Sequence, residues 1–187
     1  SLTKFVNGHS DVTAGCAVTN NEEIAEEICL LQKNFGGILG VEDAWLILRG
    51  MKTMGLRMEK SVENAKILTK FLESQDKIKK VYYPNLTSCK FYNIHTEQAS
   101  SGGAVFSFEF FEQAHLKTFL KKIKIPIYAI SLGGVESIIS HPATMSHACM
   151  SEEERLAQGV TQTLLRFSCG VEDAEDLIED LTQALTD

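Results

Sequence analysis

The 187-residue chain lacks most features that mark specialised classes of protein. No apolar run approaches the roughly 18–20 residues that a membrane-spanning helix needs, so none is predicted. The first residues are not a basic segment followed by an apolar one, so no secretory leader is predicted. The five cysteines, Cys16, Cys29, Cys89, Cys149 and Cys169, are odd in number, scattered and never spaced C-x-x-C. That argues against a disulfide framework or a zinc ribbon and for reduced thiols in a cytoplasmic protein. His141, His147 and Cys149 lie near one another but lack the spacing that sets metal ligands on one face, and no metal site is expected. Positive charge is in deficit, with 18 Lys and Arg against 25 Asp and Glu and a net charge of −7. General affinity for nucleic acid or an anionic membrane surface is thereby argued against. Repeats and low-complexity stretches are missing too. What remains, with 44% apolar and 23% charged residues, is an ordinary globular chain of one domain, or one domain plus a piece of another.

The periodicity supplies an outline. Residues 12–19 are small, apolar and β-branched and read as a short buried strand. Asn20-Asn21-Glu22-Glu23 starts a helix that runs to about Lys33, with Ile24, Ile28 and Leu31 on one stripe and Gly36-Gly37 as its stop. Glu42-Asp43 opens a second helical stretch interrupted by Gly50 and Gly55, where a bend or the close approach of another backbone accounts for glycine in a helix. Residues 56–73 form a strong amphipathic pattern through Met58, Val62, Ala65, Leu68 and Leu72. The domain boundary is placed there, giving 1–55 and 56–187. Strands are predicted over 79–83, 104–110, 125–131 and 164–169, with an irregular polar stretch at 87–101. Helices are predicted over 113–122, from the Ser151/Glu154 capping box to Gly159, and from Asp173 along Ala174, Leu177, Leu181 and Ala184. The second domain is therefore α+β, a small sheet covered by helices on one face.

Three places invite chemistry. Lys4 follows Ser1 and Thr3 and meets no other formally charged residue until Asp11. A lysine among small and apolar neighbours is a candidate nucleophile or Schiff-base former, and hydroxyls one and three residues before it suit a cofactor phosphate. The plain alternative is an unemployed terminal lysine. Ser131-Leu132-Gly133-Gly134, after an apolar strand, is either a tight turn or a backbone that must approach a ligand. Arg166 stands in the apolar run Leu164-Leu165-Arg166-Phe167. It needs an anion, either an internal carboxylate such as Glu136 or the carboxylate of a ligand.

The blocks that carry these residues resemble one family. Ser1-x-Thr3-Lys4-x-x-x-Gly8-His9-Ser10-Asp11 resembles the active-site segment of the Cys/Met-metabolism enzymes that depend on pyridoxal 5'-phosphate (PLP). These are the cystathionine γ-synthases, the cystathionine β- and γ-lyases and the methionine γ-lyases. Asp43-Ala44-Trp45-Leu46-x-Leu48-Arg49-Gly50-Met51-Lys52-Thr53 follows in the family's order. Ser131 to Ser137 with His141-Pro142-Ala143 comes next, and Leu165 to Ser168 with Gly170-Val171-Glu172-Asp173 last. The resemblance implies the tail of a fold-type I PLP-transferase large domain over 1–55, then the smaller C-terminal domain with a mainly antiparallel sheet, α/β to α+β in class. It implies Lys4 as the catalytic residue holding PLP, Ser1 and Thr3 on the cofactor phosphate, Arg166 on the substrate α-carboxylate, and Ser131 nearby to place that carboxylate or the lysine amine. The implied reaction is elimination or replacement at the β- or γ-carbon of a sulfur amino acid, in a homo-oligomer of the homotetramer type.

Departures narrow the expectation. Ile130 stands where some γ-lyases carry glutamate, Leu132 where some enteric β-lyases carry tryptophan, and Ser146 where threonine is usual. They put β-lyase slightly ahead of γ-synthase or γ-lyase and leave the choice among them open. The aromatic residue that stacks on the cofactor ring and the aspartate that pairs with its nitrogen lie upstream of the lysine in this family. The chain is therefore expected to be the C-terminal half of something larger.

Overall fold

The computed structural model describes residues 1–186, and Asp187, the last residue of the predicted second domain, lies outside the described residues. Its internal contacts divide the chain into two compact units, Ser1–Gly55 and Leu56–Asp187. No helix among the described residues is long and apolar enough to cross a membrane.

The first unit holds a π-type turn at Leu2–Val6 and helices α1 (Glu22–Phe35) and α2 (Val41–Met51). Helix α1 starts where the Asn21 side chain accepts a hydrogen bond from Ile24 N–H (3.1 Å). It stops at Gly36, whose φ of 73° is the left-handed cap that glycine adopts without a Cβ penalty. Its predicted stripe is not buried, because α1 has no buried residue, and Leu31 and Phe35 are 54% and 85% exposed. Residues 12–19 are not a strand. Only Val12 among them is buried, and the unit's described residues contain no other strand to complete a ladder.

The second unit is built on a five-stranded sheet in the order β1-β2-β5-β4-β3, with β1 (Ile78–Tyr82), β2 (Val105–Phe110), β3 (Ile127–Tyr128), β4 (Ile138–Ser140) and β5 (Leu164–Ser168). Only the β3–β4 pair is parallel. Phe106, Phe108 and Phe110 alternate along β2 onto one face, opposite Phe167 and Leu165 of β5. Phe106 stacks on Phe167 at 5.2 Å between ring centroids, and Phe108 meets Phe119 edge to face at 5.9 Å.

Helices α3 (Met54–Glu73), α5 (Gln113–Lys122) and α7 (Ala174–Leu185) complete this core with Leu68, Leu72, Leu116, Phe119, Leu177 and Leu181. The shorter helices are α4 (Tyr92–Gln98), inside the stretch read as irregular, and α6 (Glu152–Ala157), started by the reciprocal Ser151/Glu154 capping box. The predicted strand over 125–131 contracts to Ile127–Tyr128, and β4 lies at Ile138–Ser140, where no strand was predicted. The stripe of α3 is also rotated from the predicted one. Arg57, Ser61 and Asn64 are buried in its first half, while Met58 and Val62 are only partly covered. Asn64 explains the rotation, because its Nδ2 donates to the carbonyls of Gly170 (3.1 Å) and Glu172 (2.8 Å).

Candidate active site

In the first unit, Lys4 sits inside the Leu2–Val6 turn, with φ −92° and ψ −132°. The turn closes through Asn7 N–H to the Leu2 carbonyl (3.0 Å) and Gly8 N–H to the Lys4 carbonyl (2.7 Å). Residue Ala14 pins the turn from outside. Its carbonyl accepts from Leu2 N–H (2.9 Å) and from Thr3 Oγ1 (3.2 Å), and its N–H donates to Thr3 Oγ1 (2.9 Å).

Asn7, only 1% exposed, anchors the other end, donating from Nδ2 to Asp11 Oδ1 (2.6 Å) and accepting on its carbonyl from His9 Nδ1 (2.7 Å). Gly50 of α2 packs on that same carbonyl so closely that a Cβ would overlap it. The close approach anticipated for Gly50 is thus present, and its partner is the lysine segment. Nothing lies within 4 Å of a Cβ built on Gly55. Asn7 was not singled out from sequence, and only its place in the Lys4 block signalled it.

For the PLP that the resemblance implies, this segment offers the Lys4 amine and the exposed Ser1 hydroxyl, which makes no cap to the turn. The Thr3 hydroxyl hydrogen is committed to Ala14, so in this structure that side chain holds the turn.

In the second unit, β5 carries Arg166 on the sheet face opposite the aromatic core. The register sets Ser107 of β2 on one side of it and Ser140 of β4 on the other, with Tyr82 of β1 beyond Ser107. Small residues on both neighbouring strands leave room for the guanidinium to lie across the sheet. Its Nη2 donates to the Ser131 carbonyl (2.7 Å) and to Ser140 Oγ (2.9 Å), so the structure brings Ser131 and Arg166 together as predicted residues of one site.

The Ser131 contribution seen here is a backbone one. Arg166 Nε is buried without a partner, and burial pulls the guanidinium below its ordinary value, though it stays a cation at neutral pH. Glu136, the carboxylate weighed as its internal partner, is exposed, and no acidic residue among those described is bonded to Arg166. Ser140 went unnoticed in the sequence because its strand did.

Gly133, with φ 79°, donates its N–H to the buried Ser168 Oγ (2.9 Å), which ties the Gly-Gly turn to the end of β5. Nearby, His141 is a satisfied core residue. Its Nε2 donates to the Gln162 carbonyl (3.1 Å) and its Nδ1 accepts from Thr144 Oγ1 (2.8 Å).

Known proteins give the same outline. In solved structures, the fold matches cystathionine γ-synthase from Xanthomonas oryzae pv. oryzae, with a TM-score of 0.95 and 38% identity over 99% of this chain and 48% of that one. In sequence, the chain is 46% identical to the cystathionine β-lyase MetC of Bacillus subtilis (strain 168), over 99% of its own length and 47% of the relative's. It is 43% identical to the cystathionine γ-lyase of the same organism, over 49% of that relative. The chain thus spans about half the length of the curated relatives it matches. The sequence model of the family described as Cys/Met metabolism PLP-dependent enzyme covers residues 1–186, and the chain belongs to that family.

Proposed function

We propose that the protein acts as a carbon–sulfur lyase on a sulfur amino acid, in the manner of a cystathionine β-lyase. The observation that carries the reading is Arg166, a cation set into an apolar strand, oriented by two hydrogen bonds, with no carboxylate of its own and an unpaired Nε. A group so placed suits the α-carboxylate of an amino acid, for which a guanidinium offers charge and direction together. Ser131 holds that guanidinium through its carbonyl. Lys4 Nζ would hold the cofactor until the substrate amine takes its place, and the amine so freed would take the proton from the substrate α-carbon and return one to the departing sulfur. Ser1 would hold the cofactor phosphate through its hydroxyl, and Thr3 would do so by exchanging its bond to Ala14. When bound, PLP supplies the electron sink that makes the α-carbon acidic.

The aromatic residue that would stack on the cofactor ring and the aspartate that would pair with its nitrogen would be supplied from outside residues 1–186, in a homo-oligomer. All five cysteines are free, which fits reduced thiols in the cytoplasm. In β-elimination the Cβ–S bond of cystathionine breaks, and with one water the products are homocysteine, pyruvate and ammonia. The γ reading, supported by the 43% identity to a γ-lyase, breaks the Cγ–S bond instead and yields cysteine, 2-oxobutyrate and ammonia.

The experiment has two stages. The purified protein is mixed with PLP, reduced with borohydride and digested, and the pyridoxyl mass is expected on the peptide containing Lys4. Its absence there would make this chain a non-catalytic module. The 2-oxo acid formed from L-cystathionine by the loaded protein then separates β (pyruvate) from γ (2-oxobutyrate).

A further inference from the structure

Ser137 is fully buried and joins two segments that are far apart in sequence. Its hydroxyl donates to Glu172 Oε2 (2.8 Å) and accepts from Gly170 N–H (2.9 Å), while its own N–H donates to Glu172 Oε1. Beside it, Val171 N–H donates to the Val135 carbonyl (2.8 Å). Gly170 lies so close to the backbone of Val135 and Glu136 that any Cβ there would overlap it. Asn64 of α3 grips the same turn through the Gly170 and Glu172 carbonyls. The Gly170-Val171-Glu172 block therefore has a mechanical meaning. It locks the chain leaving β5 onto the segment that leads into β4.

That segment also begins with Ser131, whose carbonyl takes Arg166 Nη2, and it ends at β4, whose Ser140 takes the other Nη2 hydrogen. Both acceptors that orient Arg166 thus sit on the stretch that Ser137 and Glu172 tie down, with the Gly133–Ser168 bond as a second tie. A guanidinium on a flexible stem is directed only as well as its acceptors are held. We propose that Ser137 and Glu172 are positioning residues for the substrate carboxylate, acting through the Ser131 and Ser140 acceptors of Arg166. The inference rests on the carboxylate-binding role proposed above for Arg166.

The test titrates L-alanine, an α-amino acid without a thioether, into the 187-residue chain labelled with ¹⁵N-arginine, following the Arg166 Nε–H signal. KM and kcat for L-cystathionine are measured in the PLP-loaded enzyme. Ser137→Ala and the milder Glu172→Gln are each expected to weaken alanine binding about tenfold, the scale of one lost hydrogen bond to a charged group. KM is expected to rise by a similar factor with kcat changed less than about twofold. Folded variants with unchanged alanine affinity and KM, beside an Arg166→Ala control whose KM for L-cystathionine rises, would overturn the positioning role alone. An Arg166→Ala control whose KM for L-cystathionine equals that of wild type would instead overturn the carboxylate role. Should Ser137→Ala fail to fold, Glu172→Gln decides. Failure of both to fold makes the clamp a stability element and overturns the proposal.

Discussion

Helices α1 and α7 are each capped by a short polar side chain, Asn21 onto Ile24 N–H (3.1 Å) and Asp173 onto Glu175 N–H (2.8 Å), and each carries two acids in its first turn. Both have an apolar stripe at three- and four-residue steps. In α7 that stripe is buried, with Leu177 and Leu181 at 0% exposure. In α1 nothing is buried. Caps and periodicity decide that a helix forms and which way its apolar face points, whereas burial depends on a surface across from it. The contrast extends to the units that hold them. Ser1–Gly55 carries the candidate catalytic lysine with few buried apolar side chains, and Leu56–Asp187 carries the aromatic core and the candidate carboxylate site.

The largest expected effects pull the two units apart. In the PLP-loaded enzyme, Lys4→Ala is expected to lower kcat by at least about 10²–10⁴-fold, the range for losing a positioned proton-transfer group. Near wild-type turnover would end the assignment of chemistry to the first unit. The converse pair compares Leu181→Ala on α7 with Leu31→Ala on α1. Denaturant unfolding should show a loss of about 2–5 kcal/mol for the first and less than about 0.5 kcal/mol for the second. Equal losses would mean that α1 is buried in solution and that the contrast is false.

A smaller contrast compares two glycines. A methyl at Gly50 meets the Asn7 carbonyl, so Gly50→Ala is expected to destabilise by about 1–3 kcal/mol. Gly55→Ala, near the start of α3 in open space, should be neutral or stabilising by up to about 1 kcal/mol. Thermal melts of the two variants check the order.

The smallest effect is one of pH and belongs to the second unit. Glu109 is 3% exposed. Burial opposes its ionisation, but hydrogen bonds from Thr161 (2.8 Å), Lys79 and Tyr82 (each 3.2 Å), with the charge of Lys79, outweigh it. Its carboxyl is held below the ordinary value. A depressed folded value stabilises the protein above the unfolded value of about 4.3 and is lost as pH falls through the folded one. The drop in melting temperature from pH 7 to about pH 3.5 should therefore shrink in Glu109→Gln. An undiminished drop would show that this carboxylate does not couple folding to protons.

Much of the second unit was legible beforehand because its signals are local. The Phe106, Phe108 and Phe110 alternation marked β2, Ser151 with Glu154 marked α6, and Gln113–Lys122 fell where the pattern put α5. The sites were legible in a different way. Lys4 and Arg166 stood out as charges in apolar surroundings, and their blocks pointed to the family. Asn7 and Ser140 did not stand out, and Glu172 stood out only as part of a family block without a role, since each matters through a partner that the sequence does not place beside it. The strand over residues 12–19 was misread because small β-branched residues fit a strand only where a neighbouring strand pairs with them.

The sequence by itself determined the helix caps, the aromatic face of the sheet and the membership of a PLP-dependent family, because caps, periodicity and ordered motifs are properties of nearby residues. Only the tertiary structure decided that β3 and β4 are strands of two and three residues, that Ser131 meets Arg166 by its carbonyl, and that Ser137 and Glu172 close over the same segment. Such short strands have almost no propensity to report and exist through ladder bonds to partners. Ser131 and Arg166 meet only when β4 and β5 pair, 35 residues apart along the chain.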